Sequence, residues 1–191
     1  MTIKGWCPGA LRPMPAGDGL LLRIRPRGSR LDAGQVAGLA VISGIFGNGQ
    51  VDLGSRATLQ LRGIREETLP QVHRRLETLG LLDGDPRLEA RRNIMVTPFW
   101  RDGCGTQALG RELEAALRDA PDLPPKFGFA IDTGERPALQ DASADIRIER
   151  AGGDLLLRAY GMARGERVSR GTVTPRVLDV LEWFAGTGHR R

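Results

Sequence analysis

Three short stretches of this chain set cationic and hydrogen-bonding side chains where an anion can be held: SRATLQLRGI at 55–64, RRNI at 91–94 and LPPKFGFAI at 123–131. If the first is a strand, its period of two puts Leu59 and Leu61 on one face and Arg56, Thr58, Gln60 and Arg62 on the other. A merely solvated sheet face accepts any polar residue. The pattern fits such a face, and it equally fits a surface for carboxylate or phosphate, because the planar guanidinium fork makes paired, charge-assisted bonds. Arg92, Asn93 and Lys126 offer the same chemistry in the other two stretches.

Other reactive residue types fall into weaker patterns. The loop GCGTQALG ahead of a helical run resembles a phosphate cradle, but no Gly-Lys-Ser/Thr follows, and a plain tight turn needs the same glycines. His73 sits inside an expected helix and His189 in the terminal tail, without the spacing of a metal site or catalytic dyad. The acidic residues are scattered, and no carboxylate pair is set up for acid and base roles, so no catalytic residue is assigned. Cys7 and Cys104 are too far apart in sequence to read as a close metal pair.

Composition narrows the classes. With 191 residues, 40% hydrophobic and 27% charged, the chain can bury a core without covalent staples. It carries a net charge of +5, and all its basic residues except Lys4 and Lys126 are arginines. Acidic residues are interspersed throughout and aromatics reach only 5%, so a basic stripe with stacking residues is missing and nucleic acid is not an expected partner. No apolar run is long enough to span a bilayer, and the N-terminal stretch lacks the core of a secretory signal, which makes the expected location cytoplasmic and a membrane an unexpected partner.

The elements that must position the cations follow from patterning. GLLLRIRP reads as a strand stopped by Pro26, and Asp32 as N-cap of the helix AGQVAGLAVISGIF. The strand region VDLGSRATLQLRGI comes next. A second helix begins with Thr68 as N-cap, Pro70 in its first turn and Gln71 completing a capping box, carries Val72, Leu76 and Leu79 inward, and closes at Gly80. This β-α-β-α order predicts a two-layer α+β unit of the ferredoxin-like kind over residues 1–86. A second α+β unit is expected over 87–191. It comprises a strand in RRNIMVTPFW, a helix after the glycine loop, a buried strand in KFGFAI, a hairpin DIRIER-AGGD-LLLRAYG, and a last helix opening at Thr174 and Pro175.

Taken in this order, with Pro-Lys-Phe ahead of a buried strand, the three cationic stretches resemble the nitrite and sulfite reductase superfamily. The opening KGWCPGALRPMPAGDGLLLRIRP and the stretch PPKFGFAID resemble its precorrin-3B synthase branch, and the resemblance runs over about residues 4–186. It implies a ferredoxin-like half-domain followed by a reductase-type α+β domain. It also implies a role as an oxidoreductase of aerobic cobalamin synthesis that hydroxylates a carboxylated tetrapyrrole, precorrin-3A. Arg56, Arg92 with Asn93, and Lys126 fall where that family contacts the tetrapyrrole or an oxyanion. Thr58, Gln60 and Arg62 join them through the strand pattern.

The chain also departs from the family. The resemblance covers the first of two pseudo-repeats, whereas the second repeat supplies the four cysteines of a 4Fe-4S cluster. The full family therefore implies a 4Fe-4S cluster and iron, while this chain has two cysteines and no expected metal site. Where the assimilatory reductases usually carry a second lysine, this chain has Gly128. Expected partners are a carboxylated tetrapyrrole and either a second copy or a second chain carrying the missing repeat. A non-catalytic tetrapyrrole-binding module, or a remnant of a split reductase-like gene, remains the alternative.

Overall fold

A computed structural model describes residues 7–188. His189 and Lys4 lie outside the described residues. The chain divides into two compact units, residues 1–90 and 91–191, and the expected boundary after residue 86 falls at the start of a short helix, Pro86–Arg91.

In the first unit the order is β1 (Met14–Ala16), β2 (Gly19–Ile24), α1 (Ala33–Phe46), β3 (Val51–Gly54), β4 (Thr58–Ile64), α2 (Leu69–Thr78) and α3 (Pro86–Arg91). The four strands form an antiparallel sheet in the order β1-β2-β4-β3. Leu22, Ile24, Leu61 and Ile64 from the sheet pack with Leu39 and Ile42 of α1 and Val72 and Leu76 of α2 in one buried cluster. Alternation alone would put Ile64 on the face opposite Leu61. A bulge restores it to the core: Leu20 and Leu22 face Ile64 and Leu61, so β4 holds one extra residue, taken up at Gly63 with φ +68°.

Two sequence expectations change here. The region 51–64 is a hairpin of two strands, because Ala57 adopts a left-handed φ of +51° and reverses the chain between Gly54 and Thr58. Arg56 therefore sits in the turn, outside the alternation of β4. At the second helix, the Thr68 hydroxyl donates to the Arg65 carbonyl within a 3-10 turn and does not cap α2, so the expected capping box is absent. Asp32 does cap α1, in a reciprocal box with Gln35.

The second unit contains β5 (Ile94–Val96), α4 (Thr106–Ala116), β6 (Phe129–Asp132), β7 (Ile146–Ala151), β8 (Asp154–Ala159), β9 (Glu166–Val168) and α5 (Val173–Gly186). Its sheet runs β5-β6-β7-β8-β9, with β5, β6 and β7 parallel and the rest antiparallel. Phe129, Ile131, Ile146, Ile148 and Leu157 alternate onto one face and pack against Leu109 and Leu113 of α4 and Val177 and Leu181 of α5. Phe127 joins this core through ring contacts with Phe129 and Phe184 at 5.5 and 5.2 Å. The expected helices, buried strand and hairpin all form. The strands β1 and β9 and the helix α3 lie beyond the sequence expectation.

Candidate functional site

The clearest grouping of expected anion ligands lies in the second unit, at the edge where parallel strands β5 and β6 begin. Ile94 and Phe129 are in register, and the Phe129 N–H donates to the Asn93 carbonyl at 2.9 Å. That pairing draws RRNI and PPKF together although more than thirty residues separate them. The buried Asn93 amide donates from Nδ2 to the Phe127 carbonyl at 3.2 Å and reaches the Lys126 carbonyl at 3.5 Å, which fixes the backbone carrying Lys126. Lys126 is exposed, and its ammonium has no side-chain partner among the described residues. Arg92 is buried and lies 3.8 Å from the Glu114 carboxylate. This edge thus combines a positioned, solvent-facing ammonium with an arginine whose charge is partly balanced.

Gly128 has a structural reason within this arrangement. A Cβ at that position would lie 2.8 Å from Asn93 Nδ2, so any side chain there would push the amide out of its place. The Gly128 N–H donates instead to the Asp145 carboxylate at 2.9 Å, which ties the start of β6 to the start of β7.

In the first unit the expected polar face of β4 exists, but its members differ in availability. Cross-strand register aligns Arg23, Gln60 and Asp52 in one row. Arg62 makes a two-pronged ion pair with Asp18, at 3.1 and 3.2 Å, and its Nη1 is 3.6 Å from Asp52. The Arg62 hydrogen bonds hold the Asp18 carboxyl below its usual range, and Asp18 in turn raises the Arg62 guanidinium. Thr58 is buried against Gly54, where a Cβ would lie 2.4 Å from its hydroxyl. Gln60 and Arg56 are half-buried. The structure therefore brings Thr58, Gln60 and Arg62 onto one face of β4, and places Arg56 apart in the turn.

Several polar groups with a structural part escaped the sequence reading. Buried Glu89 of α3 accepts the N–H groups of Ala10 and Leu11 and lies 3.7 Å from the buried Arg25. His73 donates from Nε2 to the Ala10 carbonyl at 2.8 Å, so it anchors the same segment. On the sheet face of the second unit away from α4 and α5, Arg147 is only 2% exposed and donates to Glu149 at 3.1 Å and to the Ala142 and Leu139 carbonyls. Arg158 completes the group with two bonds to the same Glu149. No short-range pattern signals these contacts. An arginine alternating into a strand's interior position is the only trace they leave.

The glycine loop before α4 forms a turn with left-handed Gly103 and Gly105, and no side chain caps the helix. Thr106 is buried and shares a hydrogen bond with Thr133 at 2.8 Å, while the Cys104 thiol donates to Thr106 at 3.1 Å. Partial burial pushes the Cys104 thiol up, but bonding to Thr106, the Arg101 backbone and the charge of Arg150 outweigh it and hold the thiol below its ordinary value. Cys7 belongs to the first unit and Cys104 to the second. Among the described residues no group of three or more His, Cys, Asp or Glu is placed to hold a metal ion. A four-thiolate cluster does not fit a chain with two cysteines. No helix of the described chain is long and apolar enough to cross a membrane.

Comparison with known proteins agrees with this architecture. Residues 12–79 match the nitrite/sulfite reductase ferredoxin-like half domain. A precorrin-3B synthase from Sinorhizobium sp is 32% identical over 97% of this chain and 42% of its own length. A ferredoxin–nitrite reductase from Leptolyngbya laminosa is 36% identical over 66% of this chain and 27% of its own length. The chain thus spans less than half the length of these relatives. A solved structure of the Mycobacterium tuberculosis NirA protein shares the fold over 85% of this chain and 33% of its own, with a TM-score of 0.60 at 18% identity. The chain is accordingly a relative of precorrin-3B synthase and of the nitrite and sulfite reductases, an α+β protein built on their ferredoxin-like half domain.

Proposed function

We propose that this chain binds a carboxylated tetrapyrrole in the cytoplasm, as the tetrapyrrole-contacting half of a precorrin-3B-synthase-like oxidoreductase acting on precorrin-3A in aerobic cobalamin synthesis. The observation that carries the reading is the meeting of RRNI and PPKF at one sheet edge, where Asn93 fixes the backbone of an exposed Lys126 that has no side-chain partner among the described residues. The alignment with a precorrin-3B synthase along nearly the whole chain supports the substrate class. Lys126 and Arg92 would neutralise carboxylates, and Asn93 would hold the loop. In the first unit Arg56 is the corresponding cation, with Thr58, Gln60 and Arg62 as the polar face beside it.

Hydroxylation by a monooxygenase requires redox chemistry that two cysteines do not supply as a four-thiolate cluster. In this reading the residues of this sequence act through binding, and the redox groups lie outside them.

Titration of the purified chain with uroporphyrin, which bears carboxylates on every pyrrole ring, against its methyl ester tests the proposal. Saturable binding of the acid that weakens as salt rises, with the ester at least about tenfold weaker, is the expected result. Equal affinity for both, or no binding of either, would overturn it.

A further inference from the structure

The sheet edge that holds Lys126 also carries an apolar turn. Asp145, just ahead of β7, bonds to the segments on either side of it. On one side its carboxylate accepts the Gly128 N–H at 2.9 Å, and its own N–H donates to the Gly128 carbonyl at 2.8 Å. On the other its carbonyl accepts the Tyr160 N–H at 2.8 Å. Because β8 runs antiparallel to β7, with Ala159 in register with Ile146, the end of β8 lies at the same edge as the start of β6, two strand spacings or about 10 Å away. The chain then turns back: the Met162 N–H donates to the Ala159 carbonyl at 3.2 Å across Gly161, whose φ is +77°. The Arg158 guanidinium donates to the Met162 carbonyl at 2.8 Å, which fastens this turn to the group formed by Arg147, Glu149 and Arg158. Tyr160 is 67% exposed and Met162 57%. Among the described residues, the other large exposed hydrophobics of the second unit stand elsewhere, Phe99 past the far end of β5 and Trp183 on α5.

We propose that Tyr160 is a specificity-determining residue of this site: it packs against the face of the ligand's macrocycle, with Met162 beside it, while Lys126 takes a carboxylate at the rim. This rests on the tetrapyrrole reading and names the group that recognises the ring. Lys126 alone recognises charge, and any polycarboxylate satisfies it. A carboxylated tetrapyrrole is a broad apolar ring with acids only around its rim, so a site that selects it needs an apolar contact set back from the cation. The turn at Tyr160 meets that requirement, and Asp145 fixes its backbone relative to the segment that carries Lys126. A lone exposed tyrosine needs no explanation. This one sits in a turn pinned by Asp145 at one end and Arg158 at the other, and its ring offers flat apolar contact at small entropic cost. The neighbouring ammonium selects the occupant. An apolar protein surface laid over this edge would bury the Lys126 charge without compensation, whereas an acid with an apolar ring satisfies both groups.

Tyr160 is the only tyrosine in the chain, so protein isotopically labelled in tyrosine alone gives one set of ring signals in nuclear magnetic resonance. Titration with uroporphyrin should move those signals through the ring current of the bound macrocycle, saturating at the affinity that calorimetry measures. Tyr160→Ser should weaken uroporphyrin about tenfold and leave the salt dependence of binding unchanged, because the charge contact is intact. Tyr160→Phe keeps the ring and should stay within about twofold of wild type. Phe99→Ser removes an exposed aromatic at the opposite end of the sheet and should bind as wild type does. Tyrosine signals that stay in place while uroporphyrin binds, equal affinity in wild type and Tyr160→Ser, or an equal loss in Phe99→Ser would overturn the proposal and leave Lys126 as the anion ligand. Signals moved as fully by the methyl ester, at equal affinity, would uphold the ring contact and overturn the carboxylate reading. A wild type that binds neither would overturn both.

Discussion

Arg62 and Lys126 are both cations expected to face an anion, and the two units treat them differently. In the first unit Arg62 is held by Asp18 and Asp52, so its charge is largely balanced inside the chain. In the second, Lys126 is lifted into solvent on a backbone pinned by Asn93, with no carboxylate partner among the described residues. The difference shows that a cation on a strand pattern is not by itself a binding group. What matters is whether the fold has already given the charge a partner. The same unit also contains the opposite extreme, where Arg147, Glu149 and Arg158 form a hydrogen-bonded group with Arg147 almost fully buried.

The largest expected effect comes from breaking that buried group. Arg147→Ala leaves the Leu139 and Ala142 carbonyls without their donor and removes one of two charges facing Glu149, and should destabilise the second unit by about 3 kcal/mol. Urea unfolding followed by near-UV circular dichroism checks it. A shift smaller than about 1 kcal/mol would mean that Arg158 alone suffices for Glu149.

Gly128→Lys should come next, since its Cβ would collide with Asn93 Nδ2. The expected cost is about 1–3 kcal/mol, accompanied by weaker uroporphyrin binding despite the added positive charge. Tighter binding in that variant would contradict the positioning part given to Asn93.

Acid should loosen both units, for related reasons. Burial pushes the Glu149 carboxyl up, but the bonds from Arg158 and Arg147 more than offset it and hold it below 4.5, its ordinary value. The Asp18 carboxyl is held below 3.8 by Arg62. Carboxylates lowered in the folded chain contribute stability that is complete above their unfolded values and is lost as pH falls through the folded ones. Chemical denaturation from pH 7 down to about 3 should therefore show stability falling below about pH 4.5, with Glu149→Gln flattening that decline. An unchanged acid limb in the variant would remove Glu149 from the account of it.

How much of this was legible in the sequence depended on how far each signal reached. Asp32 and its helix were readable because the capping partner is three residues away. Thr68 misled because the Arg65 carbonyl, equally near, captures its hydroxyl first. The turn at Ala57 lacks an Asn-Gly or Asp-Gly signature, so patterning merges the two strands into one and puts Arg56 on a face it does not share. Glu89 reaches backbone nearly eighty residues away, and no periodicity could announce that. The candidate site lies between these cases. Its residue types were plain, and the resemblance grouped them, but only the parallel pairing of β5 with β6 shows why Asn93 and Lys126 meet.

The contrast between the two cations can be tested directly by isothermal titration of uroporphyrin into wild type, Lys126→Gln and Arg62→Gln at one fixed ionic strength. Removing the unpartnered ammonium should weaken binding by roughly tenfold to a hundredfold, while removing the already paired guanidinium should change it by less than about threefold. Equal affinity in wild type and Lys126→Gln would contradict the assignment of this sheet edge as the anion-binding site.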